Sequence, residues 1–80
     1  MNNVWYIMTD FDSDGPDIYG IYKTEAKARE EFRSLLANIW PKGMETDTDG
    51  QTFDECVKTG CYCDDERCDF MHIDSAEVEE

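Results

Sequence analysis

Basic residues are scarce in this 80-residue chain, which has 7 Lys and Arg against 20 Asp and Glu and a formal net charge of −13. A protein with this net negative charge repels DNA, RNA and anionic membranes, which argues against direct binding to any of them. A net charge of about 2 to 8 suffices to keep a small domain in solution. The excess therefore favours a partner protein with a basic surface, and acidity that serves only solubility is the alternative.

Long hydrophobic runs and catalytic signatures are also missing. The apolar opening segment, residues 1–8, is short, lacks a basic leader and runs into Asp10, which argues against a signal peptide or a membrane span. The chain has no Gly-rich phosphate loop, no nucleophile elbow and no Ser/His/Asp order. We therefore expect a cytoplasmic protein that is not an enzyme.

All four cysteines and the only histidine fall within one stretch of 17 residues. Thiolates at this density favour a structural zinc ion with four tetrahedral ligands, and a reducing cytoplasm favours metal over disulfides. Five candidates compete for four places, so the set stays open between four cysteines and three cysteines with the histidine, and the gaps between them differ from the usual C-x2-C pairs. Two disulfides and four free thiols are the rival interpretations. The candidate ligands are Cys56, Cys61, Cys63, Cys68 and His72.

The first forty residues are typical of a β-hairpin followed by one amphipathic helix. Residues 4–9 and 18–22 are rich in β-branched and aromatic side chains and predict two strands, with Asp14 and Gly15 in the turn between them. Thr24 is suited to cap a helix that ends before Pro41. The apolar residues of this segment recur at helical spacing on one face: Ala28, Phe32, Leu35, Leu36 and Ile39.

Most of the negative charge lies in the second half. Residues 41–80 hold 13 acidic and 3 basic residues, whereas residues 1–40 hold 7 acidic and 4 basic. Large apolar residues are few there, so we expect the metal rather than burial to order this half. Residues 70–74 predict a last strand that joins the hairpin, and residues 75–80 are expected to fray. The prediction is one α+β domain, with a hairpin packed on one helix in residues 1–40 and a zinc-stapled acidic segment in residues 41–80.

In size, charge and the cysteine cluster from Cys56 to His72, the chain resembles small acidic phage-encoded anti-CRISPR proteins, in particular a zinc-containing inhibitor of type II-A Cas9. The resemblance implies that it binds Cas9 or its guide-RNA complex in the host cytoplasm and blocks target DNA loading, without contacting nucleic acid itself. A fixed array of carboxylates suits a channel lined with Lys and Arg. The candidate contact residues are Asp47, Asp49, Asp54, Glu55, Asp64, Asp65, Glu66 and Asp69.

A zinc-stapled protein-interaction module with a non-nuclease partner is the competing function. For such a module the acidity is incidental, and Trp40, Tyr62 or Phe53 would serve as exposed anchors. Binding through carboxylates should weaken steeply as salt rises, whereas binding through apolar anchors should change little. A thiol enzyme is the least favoured class, because acidic neighbours disfavour the thiolate form of the cysteines.

Overall fold

The computed structural model describes residues 2–11 and 15–78. They form two helices and an antiparallel sheet of four strands. The predicted α+β class is confirmed, including the long helix on the sheet and the last strand at the C-terminus. The strand order in the sheet is β2-β1-β4-β3. In chain order the elements are β1 (Asn2–Phe11), β2 (Pro16–Tyr22), α1 (Glu25–Ile39), α2 (Phe53–Thr59), β3 (Cys61–Asp64) and β4 (Asp69–Val78).

The two central strands, β1 and β4, pair along their whole length, from Asn2 opposite Val78 to Phe11 opposite Asp69. The expectation that residues 75–78 fray is therefore wrong, because each of them has a partner on β1. Residues 79 and 80 lie outside the described residues, and so does Asp14 of the predicted hairpin turn. The long central pair places the acidic second half of the chain beside the first half in one sheet.

Helix α1 covers one face of the sheet, as its apolar stripe predicts. The Thr24 side chain accepts a hydrogen bond from the Lys27 amide at 3.1 Å, which caps the helix at the predicted residue. Each large apolar side chain buried between α1 and the sheet stabilises the folded state by roughly 1.5 to 3 kcal/mol. The opposite face of the sheet carries no helix in the described part of the chain. The buried core residues are Ile7, Phe32, Leu36, Cys56, Tyr62 and Met71.

Helix α2 and strand β3 are two elements that the sequence reasoning missed. Thr52 and Glu55 form a capping box at the start of α2, in which the Glu55 amide donates to Thr52 Oγ1 at 3.2 Å and Glu55 Oε1 accepts from the Thr52 amide at 3.3 Å. The Thr-x-x-Glu signature was therefore available in the sequence. At the other end of α2, the Arg29 guanidinium of α1 donates to the carbonyl oxygens of Val57, at 2.6 Å, and Lys58.

Gly60 connects α2 to β3 in a conformation that other residues adopt with strain. Its φ of 69° lies in the left-handed region, and a Cβ atom there would lie 3.2 Å from Ile73 Cβ. Its carbonyl oxygen also accepts a hydrogen bond from the Ile73 amide at 2.7 Å. The turn into β3 therefore depends on glycine for its backbone conformation and for the close approach of β4.

Substitution of Gly60→Ala is expected to destabilise the protein more than Gly50→Ala. Both glycines have a positive φ, of 69° and 82°, but open space surrounds Gly50. In the Gly50 variant the backbone strain alone should lower the free energy of unfolding, by about 1 to 2 kcal/mol. The Gly60 variant carries the same strain and must also move Ile73. Urea unfolding measures both, and equal losses of unfolding free energy would contradict the role of the Ile73 contact.

Candidate functional site

The loop between α1 and α2 covers the outer edge of strand β3. The amide and hydroxyl of Thr48 both donate to the carbonyl oxygen of Cys63, at 3.1 and 2.9 Å, and the Cys63 amide donates to Asp47 Oδ2 at 3.3 Å. The outward-facing backbone groups of Cys63 are thus satisfied by the loop. The loop holds this edge of the sheet and its acidic residues in one fixed arrangement.

The carboxylate of Asp47 is the centre of that arrangement and is only 5% exposed. Its Oδ1 atom accepts hydrogen bonds from the amides of Asp49 and Gln51, at 3.0 and 2.8 Å. Its Oδ2 atom accepts from the Cys63 amide at 3.3 Å and from the Cys56 thiol at 3.4 Å. Asp47 therefore joins the loop, helix α2 and strand β3 through four donors, and its carboxylate is not free to contact a partner.

Asp64 is the second buried carboxylate, also 5% exposed. It accepts hydrogen bonds from the Tyr62 hydroxyl at 3.4 Å and from the Arg67 amide at 3.2 Å, so it closes the turn between β3 and β4. Burial, with a further contribution from the Asp64 carboxylate, raises the pKa of Tyr62 to about 12. Asp47 and Asp64, both candidates for partner contact, thus serve the interior of the protein.

The remaining six candidate acids lie nearer the surface. The Asp65 amide donates to Thr48 Oγ1 at 3.3 Å, which brings the β3–β4 turn beside the covering loop. The Cys63 thiol donates to Asp65 Oδ1 at 3.3 Å, and Asp49 is also near enough to act on this thiol electrostatically. We call these six residues the acidic array: Asp49, Asp54, Glu55, Asp65, Glu66 and the half-buried Asp69.

Ion pairs do not neutralise the acidic array. The ion pairs of the described residues all lie within α1, where Lys27 contacts Glu30 and Glu31 at 4.0 and 3.2 Å and Arg29 contacts Glu25 at 2.7 Å. Within residues 41–78, no acidic side chain lies in ion-pair distance of a Lys or Arg. The second half therefore carries a negative field that its own cations leave uncompensated.

The structure does not gather the five candidate zinc ligands around one point. Cys56 is buried in the core, whereas Cys61 and Cys63 alternate with the buried residues of β3 and so point to the uncovered face of the sheet. His72 of β4 lies directly opposite Cys61, while Cys68 is exposed in the turn at a φ of 57°. Among residues 2–11 and 15–78, no three His, Cys, Asp or Glu side chains are arranged to hold a metal ion.

All four cysteines are free thiols in this structure. Burial, with a contribution from Asp47, raises the pKa of Cys56 to about 12. Partial desolvation, with contributions from the Asp49 and Asp47 carboxylates, also raises the pKa of the exposed Cys61. At neutral pH these thiols are therefore protonated, and the thiolate that a metal or an electrophile requires is disfavoured without a bound cation.

The aromatic residues predicted as exposed anchors are instead part of the packing. Tyr62 is 1% exposed, and Trp40 and Phe53 are half-buried, with ring centroids 5.4 Å apart in an edge-to-face arrangement. This prediction was wrong because α2, which the sequence reasoning missed, brings Phe53 against the end of α1. The large apolar side chains that are exposed are Ile18, Tyr19, Ile21, Phe70 and Val78.

Comparison with known proteins gives this chain no relatives. No protein-family model matches it, and no curated protein or solved structure matches it significantly. Neither helix in the described part of the chain is long and apolar enough to cross a membrane.

Replacement of Asp47→Asn is expected to lower the unfolding free energy by about 1 to 3 kcal/mol, because the new NH₂ group faces the Cys63 amide or the amides of the loop and leaves a buried donor unsatisfied. Asp49→Asn makes the same change in charge at an exposed site and should cost less than about 0.5 kcal/mol. Urea unfolding compares the two variants. Equal stabilities would contradict the central role assigned to Asp47.

Alkylation of the native protein should label Cys61 and Cys68 first and Cys56 last. Cys61 and Cys68 are exposed, whereas Cys56 is fully buried and its pKa is raised to about 12. Iodoacetamide labelling followed by peptide mass spectrometry measures the order, and unfolded protein is the control in which the difference should vanish. Rapid labelling of Cys56 in the native protein would contradict its placement in the core.

The zinc prediction is tested on protein purified without chelator. One equivalent of zinc, together with protection of Cys61, Cys63 and Cys68 from alkylation, would support a site that forms when the metal binds. Less than a stoichiometric amount of zinc would contradict it, and the free thiols of the structure would then describe the protein as isolated.

Proposed function

We propose that this protein binds a basic, nucleic-acid-binding surface of a partner protein through its acidic array and competes there with nucleic acid. The observation that carries the proposal is the uncompensated charge of the second half, where acidic side chains have no Lys or Arg within ion-pair distance among residues 41–78. A basic channel that holds phosphates would attract such a surface and bind it in place of the phosphates.

The fixed backbone beneath the acidic array supports this proposal. Asp49 and Asp65 are held by the hydrogen bonds of Asp47 and Thr48, and Glu55 is held by the capping box of α2. Carboxylates on an ordered backbone lose less conformational entropy on binding than carboxylates on a disordered tail. The array is thus better suited to one defined partner surface than an acidic tail of the same charge.

Cas9, or its guide-RNA complex, is the partner that we propose on the basis of the resemblance. Its channel holds an RNA–DNA heteroduplex through contacts to the nucleic-acid backbone and is correspondingly basic. Occupation of the channel by the acidic array would block target DNA loading without any catalytic step. The contacts proposed here come from the exposed acids and do not require the two buried carboxylates.

A second candidate function is binding to a non-nuclease partner through apolar contacts. The exposed side chains of Ile18, Tyr19, Ile21 and Phe70 favour it, since large apolar groups at a surface often mark an interaction site. Salt separates the two functions. Affinity through the acidic array should fall steeply with ionic strength, whereas affinity through these apolar residues should be nearly constant.

Neutralisation of three members of the array should relieve the inhibition of DNA binding. The triple variant Asp49→Asn, Asp65→Asn and Glu66→Gln is expected to need about tenfold more protein to block target DNA loading onto the Cas9–guide-RNA complex, because it removes three attractive charges from the interface. A DNA-binding competition assay at two salt concentrations measures this.

The matched control removes three negative charges from outside the array: Asp10→Asn, Asp74→Asn and Glu77→Gln. Its inhibition should stay within about threefold of the parent protein if position matters as well as net charge. If both triple variants lost inhibition equally, the effect would come from net charge alone and not from the position of the charges. Failure of the parent protein to bind the complex at low salt would refute Cas9 as the partner.

A further inference from the structure

The uncovered face of the sheet, opposite α1, contains a small pocket between β1, β2 and β4. The register places Asp10 of β1 directly between Pro16 of β2 and Phe70 of β4, and the next row places Met8 beside His72. Buried residues alternate with Met8 and Asp10 along β1, so these two side chains point to the uncovered face. The residues that line the pocket are Met8, Thr9, Asp10, Pro16, Phe70 and His72.

The pocket suits one long side chain that has an apolar stem and a cationic end. It encloses about 240 Å³, whereas pockets for drug-sized ligands enclose about 300 to 1,000 Å³. Met8, Pro16 and Phe70 provide apolar walls, and the described residues that line the pocket include one acid, Asp10, and no Lys or Arg. Lysine and arginine side chains lay their aliphatic stems along such apolar surface and keep the charged end at a polar group.

The protein does not supply this cation from its own sheet. The four strands contain no Lys or Arg, and among the described residues none lies within ion-pair distance of Asp10. The other acid in the centre of this face, Asp74, differs because it accepts a hydrogen bond from the Tyr6 hydroxyl at 3.3 Å. A positive group that pairs with Asp10 therefore comes most readily from another molecule.

We propose that the pocket binds an arginine side chain of a partner protein, with apolar residues of that partner on the sheet around it. A planar guanidinium binds a carboxylate through two N–H groups and stacks on an aromatic ring, and Asp10 and Phe70 are adjacent across β1 and β4. Ile18 and Ile21, 50% and 63% exposed, lie on the same face and supply the apolar contacts. A second copy of the chain fits poorly, because two molecules of net charge −13 repel each other.

Titration with two tripeptide amides tests the pocket. The probes are acetyl-Leu-Arg-Leu-amide and acetyl-Leu-citrulline-Leu-amide, which have nearly the same shape and differ in one positive charge. In two-dimensional NMR spectra of the full chain, the arginine peptide should shift the amide resonances of residues 8–10 and 70–72. It should bind about tenfold more tightly than the citrulline peptide, because only arginine forms the charged pair with Asp10.

Two variants of equal charge provide the control. Asp10→Asn keeps the size of the side chain and should remove the preference for arginine, leaving the citrulline peptide as weak as before. Asp74→Asn removes the same charge from the same face, outside the pocket, and should keep the preference within about twofold of the parent. An equal loss in both variants would overturn the proposal, since the preference would then come from net charge.

The proposal rests on the second candidate function, to which it adds the chemistry of the partner, and none of the pocket residues belongs to the acidic array. Equal binding of the two peptides at this face would overturn the arginine pocket but leave the apolar surface of that function. Absence of any shift at this face would contradict both. Shifts confined to the acidic array, or shifts of the pocket amides when the protein is concentrated without peptide, would also overturn the proposal, the latter in favour of a second copy.

Discussion

The bonds to the Asp47 carboxylate are the interaction on which the second half of the protein depends. A buried carboxylate is costly unless donors surround it, and here three amides and one thiol do so. Those donors come from the loop, from α2 and from β3, so the same four bonds fix three segments relative to one another. Without them the loop would keep at Cys63 only the two Thr48 bonds to the carbonyl oxygen, and the Asp49 and Gln51 amides would lose their acceptor.

The two buried carboxylates and the exposed ones have opposite roles, although all of them contribute to the same net charge. Asp47 and Asp64 stabilise turns, and their charges are shielded by hydrogen-bond donors. In the acidic array Glu55 accepts from Thr52 and Asp65 accepts from the Cys63 thiol, but none of its carboxylates lies within ion-pair distance of a Lys or Arg, and its charges act outward. The acidic array lies in the loop, α2 and the β3–β4 turn beside the β3 edge, whereas β2, at the other edge of the sheet, has Asp17 as its only charged residue.

The cysteines show that proximity in sequence and proximity in the fold are different things. Their clustering within 17 residues predicts a common metal ion, yet the turn at Gly60 and the alternation of β3 direct the side chains to different places. Cys56 points into the core from α2, while Cys61 points to the uncovered face of the sheet. Hydrogen bonds, a capping box and strand pairing join the second half to the sheet, and zinc bound by these cysteines stays a prediction.

The sequence alone determined the hairpin, helix α1 and the last strand, because these elements follow from local periodicity and capping, as at Thr24. It also determined the acidity of the second half. Only the tertiary structure decided which acids are buried, because the donors of Asp47 come from segments up to 16 residues away. Strand β3 depends on such long-range contacts, since its four residues carry too weak a local signal without the sheet that they join, whereas the capping box of α2 could have been recognised in the sequence.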